Sequence, residues 1–180
     1  MVGQRTTDES ASVAGLADPT DERSNCGVGV VMDLDGGTDH DIVADGLELL
    51  ENLEHRGTTG AESNTGDGAG ILFQMPHDFF ASELDVDLPS RGDYAVGSFF
   101  LPKDDDDAAE GLKDLVETEL EAEGLEVFHW RTVPTNNESL GATAVESEPR
   151  VEQAFVKPTE DVDDEEFDKR LYVGRRVVEN

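Results

Sequence analysis

The chain has 180 residues, the scale of one domain with one core, and it carries 43 Asp and Glu against 13 Lys and Arg, for a net charge of −30 and a pI near 4.1. A charge of this sign repels phosphate backbones and anionic lipid, so nucleic acid and membrane surfaces are excluded as partners. The single Cys excludes an internal disulfide and a cysteine metal cluster, and no apolar run reaches the length of a membrane helix.

Residues 1–25 are polar and lack an apolar h-region, so they read as a disordered leader and not as a secretory signal, and a cytoplasmic protein is expected. Residues 27–34, "GVGVVMDL", are rich in Val and closed by the turn signal "DGG", which predicts a strand. In "DIVADGLELLENLEHRG" apolar residues at 42, 43, 47, 50 and 53 follow a helical period, with Asp39 or Asp41 as cap and Gly57 as stop. Residues 58–69, rich in Gly, Thr and Asn, read as loop, and "GILFQM" and "DYAVGSFFLP" as buried strands. Residues 104–124 give the clearest helix, with apolar residues at 108, 109, 112, 115, 116 and 120, acids in the first turn and Gly124 at the end. "LEVFHWRTVP" and "RVEQAFVKP" predict strands, and "DDEEFDKRLYVGRRVVEN" a last helix with Phe167, Leu171 and Val178 on one side.

There is no internal repeat, and strands and helices mix without strict alternation, which predicts an α+β fold. The last predicted helix runs to the last residue with no closing element, so the chain is expected to be a fragment. The acids are dispersed and not gathered in a tail, the pattern of a surface solvated in concentrated salt, so a halophilic source is expected.

Two readings of Cys26 stay open on the residues alone. Free Cys is among the most buried residue types, which favours a packed thiol. Yet Cys26 stands at the seam between leader and first strand, flanked by Gly27 and Gly29, which allow close approach. Were the leader removed after Asn25, Cys26 would carry an α-amine of pKa about 7.7–8.0. That amine is a suitable base for its own thiol, and the thiolate would attack a carboxamide carbon. Arg56 alone reads as a surface cation near a helix end. His40, His55, His77 and His129 lack metal-ligand spacing, and His129-Trp130 reads as packed in a strand. Asp104–Asp107 reads as a solvated helix start and not as a metal site.

"NCGVGVV" followed by "LEHRGTTGAESNTGDGAGILFQMPHDFF" resembles the class II glutamine amidotransferase domain of the glutamate synthase large subunit. The resemblance continues through "FFLP", "GLEVFHWRTVP", "SEPRVEQAFV" and "FDKRLYVGRRVVEN", from about residue 18 to the end. Cys26 with Arg56-Gly57 suits any class II amidotransferase, including those with phosphoribosyl pyrophosphate or fructose 6-phosphate as acceptor. The ordered "EHRG", "TGDGAGIL" and "PHDFF" are peculiar to glutamate synthase.

This resemblance implies an N-terminal nucleophile fold, a four-layer αββα sandwich of which only the front part is present. Residues 1–25 would be the leader and 26–180 a partial amidotransferase domain. L-glutamine is the implied substrate, hydrolysed through a Cys26 thioester, with ammonia passed to 2-oxoglutarate. Arg56 matches a supporting cation that favours the thiolate, and Gly27 and Gly57 match binding positions. Thr65, Gly66, Asp67, Gly68 and Gly70 match a structural Gly-rich loop without the ending of a nucleotide P-loop.

The family's oxyanion Asn-Gly pair and its glutamine-clamping Arg and Asp have no match. "TNNES" offers Asn136 and Asn137 but no Asn-Gly. One oxyanion donor is worth roughly a hundredfold in rate, so the isolated chain is expected to show little glutaminase activity. FMN and an iron–sulfur cluster would belong to the missing remainder, with no cofactor or metal in this segment. The remainder itself is the implied partner, and a truncated remnant, inactive or serving as an interaction fragment, is the alternative reading.

Overall fold

The computed structural model describes residues 27–37, 39–53, 62, 64 and 68–179. The chain divides into two compact units, residues 1–57 and 58–180.

In the first unit, the run expected as a strand over 27–34 has no regular secondary structure, and Val28, Val30 and Leu34 are exposed. β-branched residues favour extended backbone, but a strand exists only where a neighbour completes its hydrogen bonds. No strand is available among the described residues of this unit. The "DGG" turn does form, with the Asp33 carboxylate accepting the Asp35 N–H at 2.7 Å. Helix α1, His40–Asn52, follows, and Asp39 is its cap, accepting the Asp41 N–H at 3.1 Å. It closes at Leu53, whose N–H bonds to the Leu50 and Glu51 carbonyls, ahead of the expected stop at Gly57. Gly57 itself lies outside the described residues.

The second unit runs α2 (His77–Glu83), β1 (Ala95–Leu101), α3 (Asp106–Ala122), β2 (Leu125–Thr132), α4 (Ala142–Glu146), β3 (Arg150–Pro158) and α5 (Asp164–Val178). Helices beside an antiparallel sheet make the fold α+β. The sheet has the order β1-β3-β2, with Val156 opposite both Ala95 and Val127. Side chains alternate across β3, so Ala154 and Val156 face one side and Phe155 the other. Val116 and Leu120 of α3 and Phe167 of α5 pack with Leu125, Ala154 and Val156. Phe155, on the other face, is fully buried in an aromatic cluster with Phe80 and Tyr94, flanked by Met75, Val96 and Phe128.

The helix ends follow from local chemistry. Asp105 accepts the Ala108 N–H at 2.9 Å and Asp163 the Glu166 N–H at 2.9 Å, each satisfying an orphan donor of a first turn. Gly124 ends the turn after α3 at φ +75°, where a Cβ would be strained and would also lie 2.5 Å from the Arg170 guanidinium. Gly174 lets α5 approach α3, since a Cβ there would lie 2.7 Å from Leu120.

A second expected strand is absent. "GILFQM" has no regular structure, Leu72 is 99% exposed, and of its apolar side chains only Met75 joins the aromatic cluster. The segment pairs with neither edge of the sheet, and strand composition without ladder hydrogen bonds does not make a strand. "DYAVGSFFLP" does hold β1, although Phe100 is 71% exposed, so it is not buried throughout.

Candidate functional site

Cys26, Arg56, Gly57, Thr65, Gly66 and Asp67 lie outside the described residues, and so does His55. Gly27, Gly68 and Gly70 are described. Gly27 is exposed and opens the irregular run of the first unit. Two residues on, a Cβ at Gly29 would overlap Leu49 of α1. The glycine therefore serves close packing, and it sets the backbone three residues after Cys26 against the helix whose sequence continues to Arg56. In the second unit, Gly68 has φ +86°, a conformation that side chains rarely adopt, whereas Gly70 has open space around its Cα. Residues 68–70 have no regular secondary structure.

"PHDFF" is a packing motif in this structure. His77 Nδ1 lies 3.0 Å from the Tyr94 hydroxyl, and Phe80 stands edge-on to Phe155 at 4.9 Å. Asp78 pairs with Arg91 at 3.1 Å. Burial pushes the Tyr94 hydroxyl above its ordinary value, while Arg91 pulls it down and Asp78 pushes it up. His129 packs on Phe155, as the reading of a strand histidine expected, and the Trp130 Nε1–H reaches Glu117 at 2.7 Å. Among the described residues no group of three His, Cys, Asp or Glu is placed to hold a metal ion. Asp105 caps α3 and Asp106 pairs with Arg150, so the acidic run acts as a helix start.

The "TNNES" segment is used structurally. The Asn136 side chain accepts the Glu138 N–H at 3.0 Å, and Asn137 donates to Glu148 at 3.0 Å. Glu62 accepts the Thr143 N–H at 3.2 Å, and the Asn64 carbonyl accepts the Gly141 N–H at 3.2 Å. The two residues flank Ser63, directly before the Gly-rich loop in sequence. Sequence reasoning missed them, because nothing local marks a contact to a segment more than 70 residues away.

Glu148 gathers Lys103, Asn137 and Thr135. Hydrogen bonds from Lys103 first, then Asn137, hold its carboxyl below the usual Glu range. A lowered folded value means a stabilising contribution present above the unfolded pKa, about 4.3, and lost as pH falls through the folded value. Glu148→Gln is therefore expected to reduce the urea midpoint at neutral pH and to flatten its decline below about pH 4.3 at constant salt. An unchanged pH slope in that variant would contradict the assignment.

A family model for class-II glutamine amidotransferases matches residues 26–180. The chain is 38% identical over 177 residues to the glutamate synthase (NADPH) large chain of Bacillus subtilis, covering 97% of this chain and 12% of that one. It is 38% identical over 170 residues to ferredoxin-dependent glutamate synthase 1 of Arabidopsis thaliana, covering 93% and 10%. Against the glutamate synthase (NADPH) large chain of Azospirillum brasilense it is 37% identical over 177 residues, covering 97% and 12%. The chain thus spans about a tenth of the length of the curated relatives it matches.

Proposed function

Because the chain belongs to the class-II glutamine amidotransferases, we propose that it is the front part of the glutamine-hydrolysing domain of a glutamate synthase. The observation that carries this reading is the family match over residues 26–180, which opens on Cys26 itself and leaves residues 1–25 outside. That boundary supports residues 1–25 as a removable leader and 26–180 as a partial amidotransferase domain. The sheet with α3 and α5 on one face supports one helix layer and one sheet layer of a four-layer αββα sandwich.

In this reading, leader removal frees the α-amine of Cys26, which takes the thiol proton. The thiolate attacks the side-chain carboxamide carbon of L-glutamine, the α-ammonium so formed returns the proton to the amide nitrogen, and the tetrahedral adduct collapses to the thioester with loss of ammonia. Water then hydrolyses the thioester to glutamate and restores the thiol. Arg56 supplies a nearby positive charge that favours the thiolate. Gly27 and Gly57 are assigned to substrate binding, and Thr65, Gly66, Asp67, Gly68 and Gly70 to a structural loop. In the remainder of the synthase the ammonia condenses with 2-oxoglutarate with loss of water, and the resulting imine is reduced to glutamate by two electrons from a nicotinamide or ferredoxin donor, the two donor classes named in the relatives. FMN and an iron–sulfur cluster belong to the remainder of the synthase, which is also the partner of this segment. We assign the protein to the cytoplasm of a halophile, with neither nucleic acid nor membrane as partner. Its acidic surface supports this, and among the described residues no helix is long and apolar enough to cross a membrane.

The test follows the amide nitrogen of isotopically labelled glutamine in the polypeptide that carries residues 26–180. Label is expected in the amino group of glutamate when 2-oxoglutarate is supplied with an electron donor, NADPH or reduced ferredoxin. Transfer to phosphoribosyl pyrophosphate or fructose 6-phosphate, with none to 2-oxoglutarate, would contradict the reading.

A further inference from the structure

In so acidic a chain a cation without an acid beside it is conspicuous, and among the described residues Arg131 is in that position. Every other described Lys and Arg holds a carboxylate, as Arg91, Lys103, Arg150 and Arg170 do. Arg131, half-buried near the end of β2, instead donates from Nη1 to the Gln153 side-chain oxygen at 3.0 Å. Its guanidinium sits 5.7 Å over the ring of Phe79. The register explains its place, since Arg131 lies opposite Gln153 on the aromatic side of the sheet, two residues from Phe155.

This geometry holds the guanidinium in place before any partner arrives. Gln153 fixes one edge and Phe79 backs the plane, while a guanidinium has five N–H donors in a rigid fork suited to a carboxylate. Phe79 is 48% exposed beside it. An apolar ring next to a poised cation suits a protein surface that covers the ring and supplies an acid, and it suits a small free anion less well.

We propose that Arg131 and Phe79 form the docking point for an Asp or Glu side chain of the remainder of the longer polypeptide. The proposal rests on the reading of this chain as part of a synthase. The relatives supply the length for such an occupant, since about nine-tenths of each lies outside the matched segment. The carboxylate would complete the one described cation that this segment leaves unmatched, and its surface would bury the exposed part of Phe79.

The experiment uses the full polypeptide with Arg131→Lys and a carbodiimide, which joins an amine to an adjacent carboxylate. Peptide mass spectrometry is expected to find residue 131 joined to an Asp or Glu outside residues 1–180, and the Lys157–Glu126 pair, 3.5 Å apart, serves as the internal control. Mixing isotopically labelled and unlabelled copies separates a link within one polypeptide from one between copies. A link to an acid within residues 1–180, a link only between copies, or no link at 131 while the control link forms would overturn the proposal. Should Arg131→Lys fail to fold, a benzoylphenylalanine at position 79 with Arg131 intact is expected to capture the same outside segment on illumination. Capture confined to residues 1–180 would overturn it equally. Glutaminase activity is measured on the same preparation. An active long polypeptide without the link removes this proposal alone, and a 180-residue product without activity removes the functional reading as well.

Discussion

Cys26→Ser is expected to reduce glutamine hydrolysis by the assembled enzyme to background, a loss of about 10³-fold or more. The α-amine of a freed N-terminus, pKa about 7.7–8.0, is matched to a thiol of pKa about 8.5. It is far too weak a base to ionise an alcohol, so the serine oxygen would be a poor nucleophile. The substitution nearly conserves volume, which separates the two readings of this residue. A packed core thiol exchanged for a hydroxyl would cost stability and leave the rate per folded molecule intact. A nucleophile would cost rate and leave the unfolding midpoint nearly unchanged. Ammonia release and the urea midpoint, measured on one preparation, decide between them. Activity within tenfold of the parent would contradict the assignment.

Phe155→Ala carries the largest expected loss of stability. Phe155 is fully buried on the central strand, with Phe80 edge-on at 4.9 Å, His129 at 5.7 Å, Phe128 at 6.1 Å and Tyr94 stacked at 6.3 Å. Truncating a buried Phe costs about 3–5 kcal/mol, because the transfer energy is lost and a cavity remains. A domain is stable by only about 5–15 kcal/mol in total, so the second unit is expected to lose a large share of its margin. Phe100→Ala is the control, because Phe100 is 71% exposed and should change stability by no more than about 0.5 kcal/mol. Urea unfolding at fixed high salt reads both. A Phe155→Ala loss below about 1 kcal/mol would show that the aromatic cluster does not hold the sheet.

Where local chemistry decides an element, the sequence was readable. "RVEQAFVKP" coincides with β3, and the acidic first turn and the apolar spacing from 108 to 120 mark α3. Where a partner decides, it was not. "GVGVVMDL" and "GILFQM" have strand composition but pair with no strand among the described residues. β2 contains a shift between Val127 and His129 that leaves Phe128 as an extra residue. It turns both Phe128 and His129 onto Phe155, while Trp130 returns to the opposite face against Phe99 at 5.3 Å. Simple alternation cannot foretell that exchange of faces. For the proposed site, the assignment of Cys26 and Arg56 rests on the motif order around them, since each alone has an ordinary structural use. Glu148 and Arg131 were not legible, because pairings such as Lys103–Glu148 and Arg150–Asp106 join residues far apart in sequence. The absence of such a pairing at Arg131 among the described residues shows only after the chain has folded.

The most direct test of the account is the intact mass of the polypeptide captured from its own cells, with its bound partners. The account predicts a chain that begins at Cys26, lighter by residues 1–25, and either continuous with or bound to the remainder of a glutamate synthase. A glutamine-hydrolysing enzyme that keeps residues 1–25 attached would contradict it, because the α-amine of Cys26 would then be locked in a peptide bond.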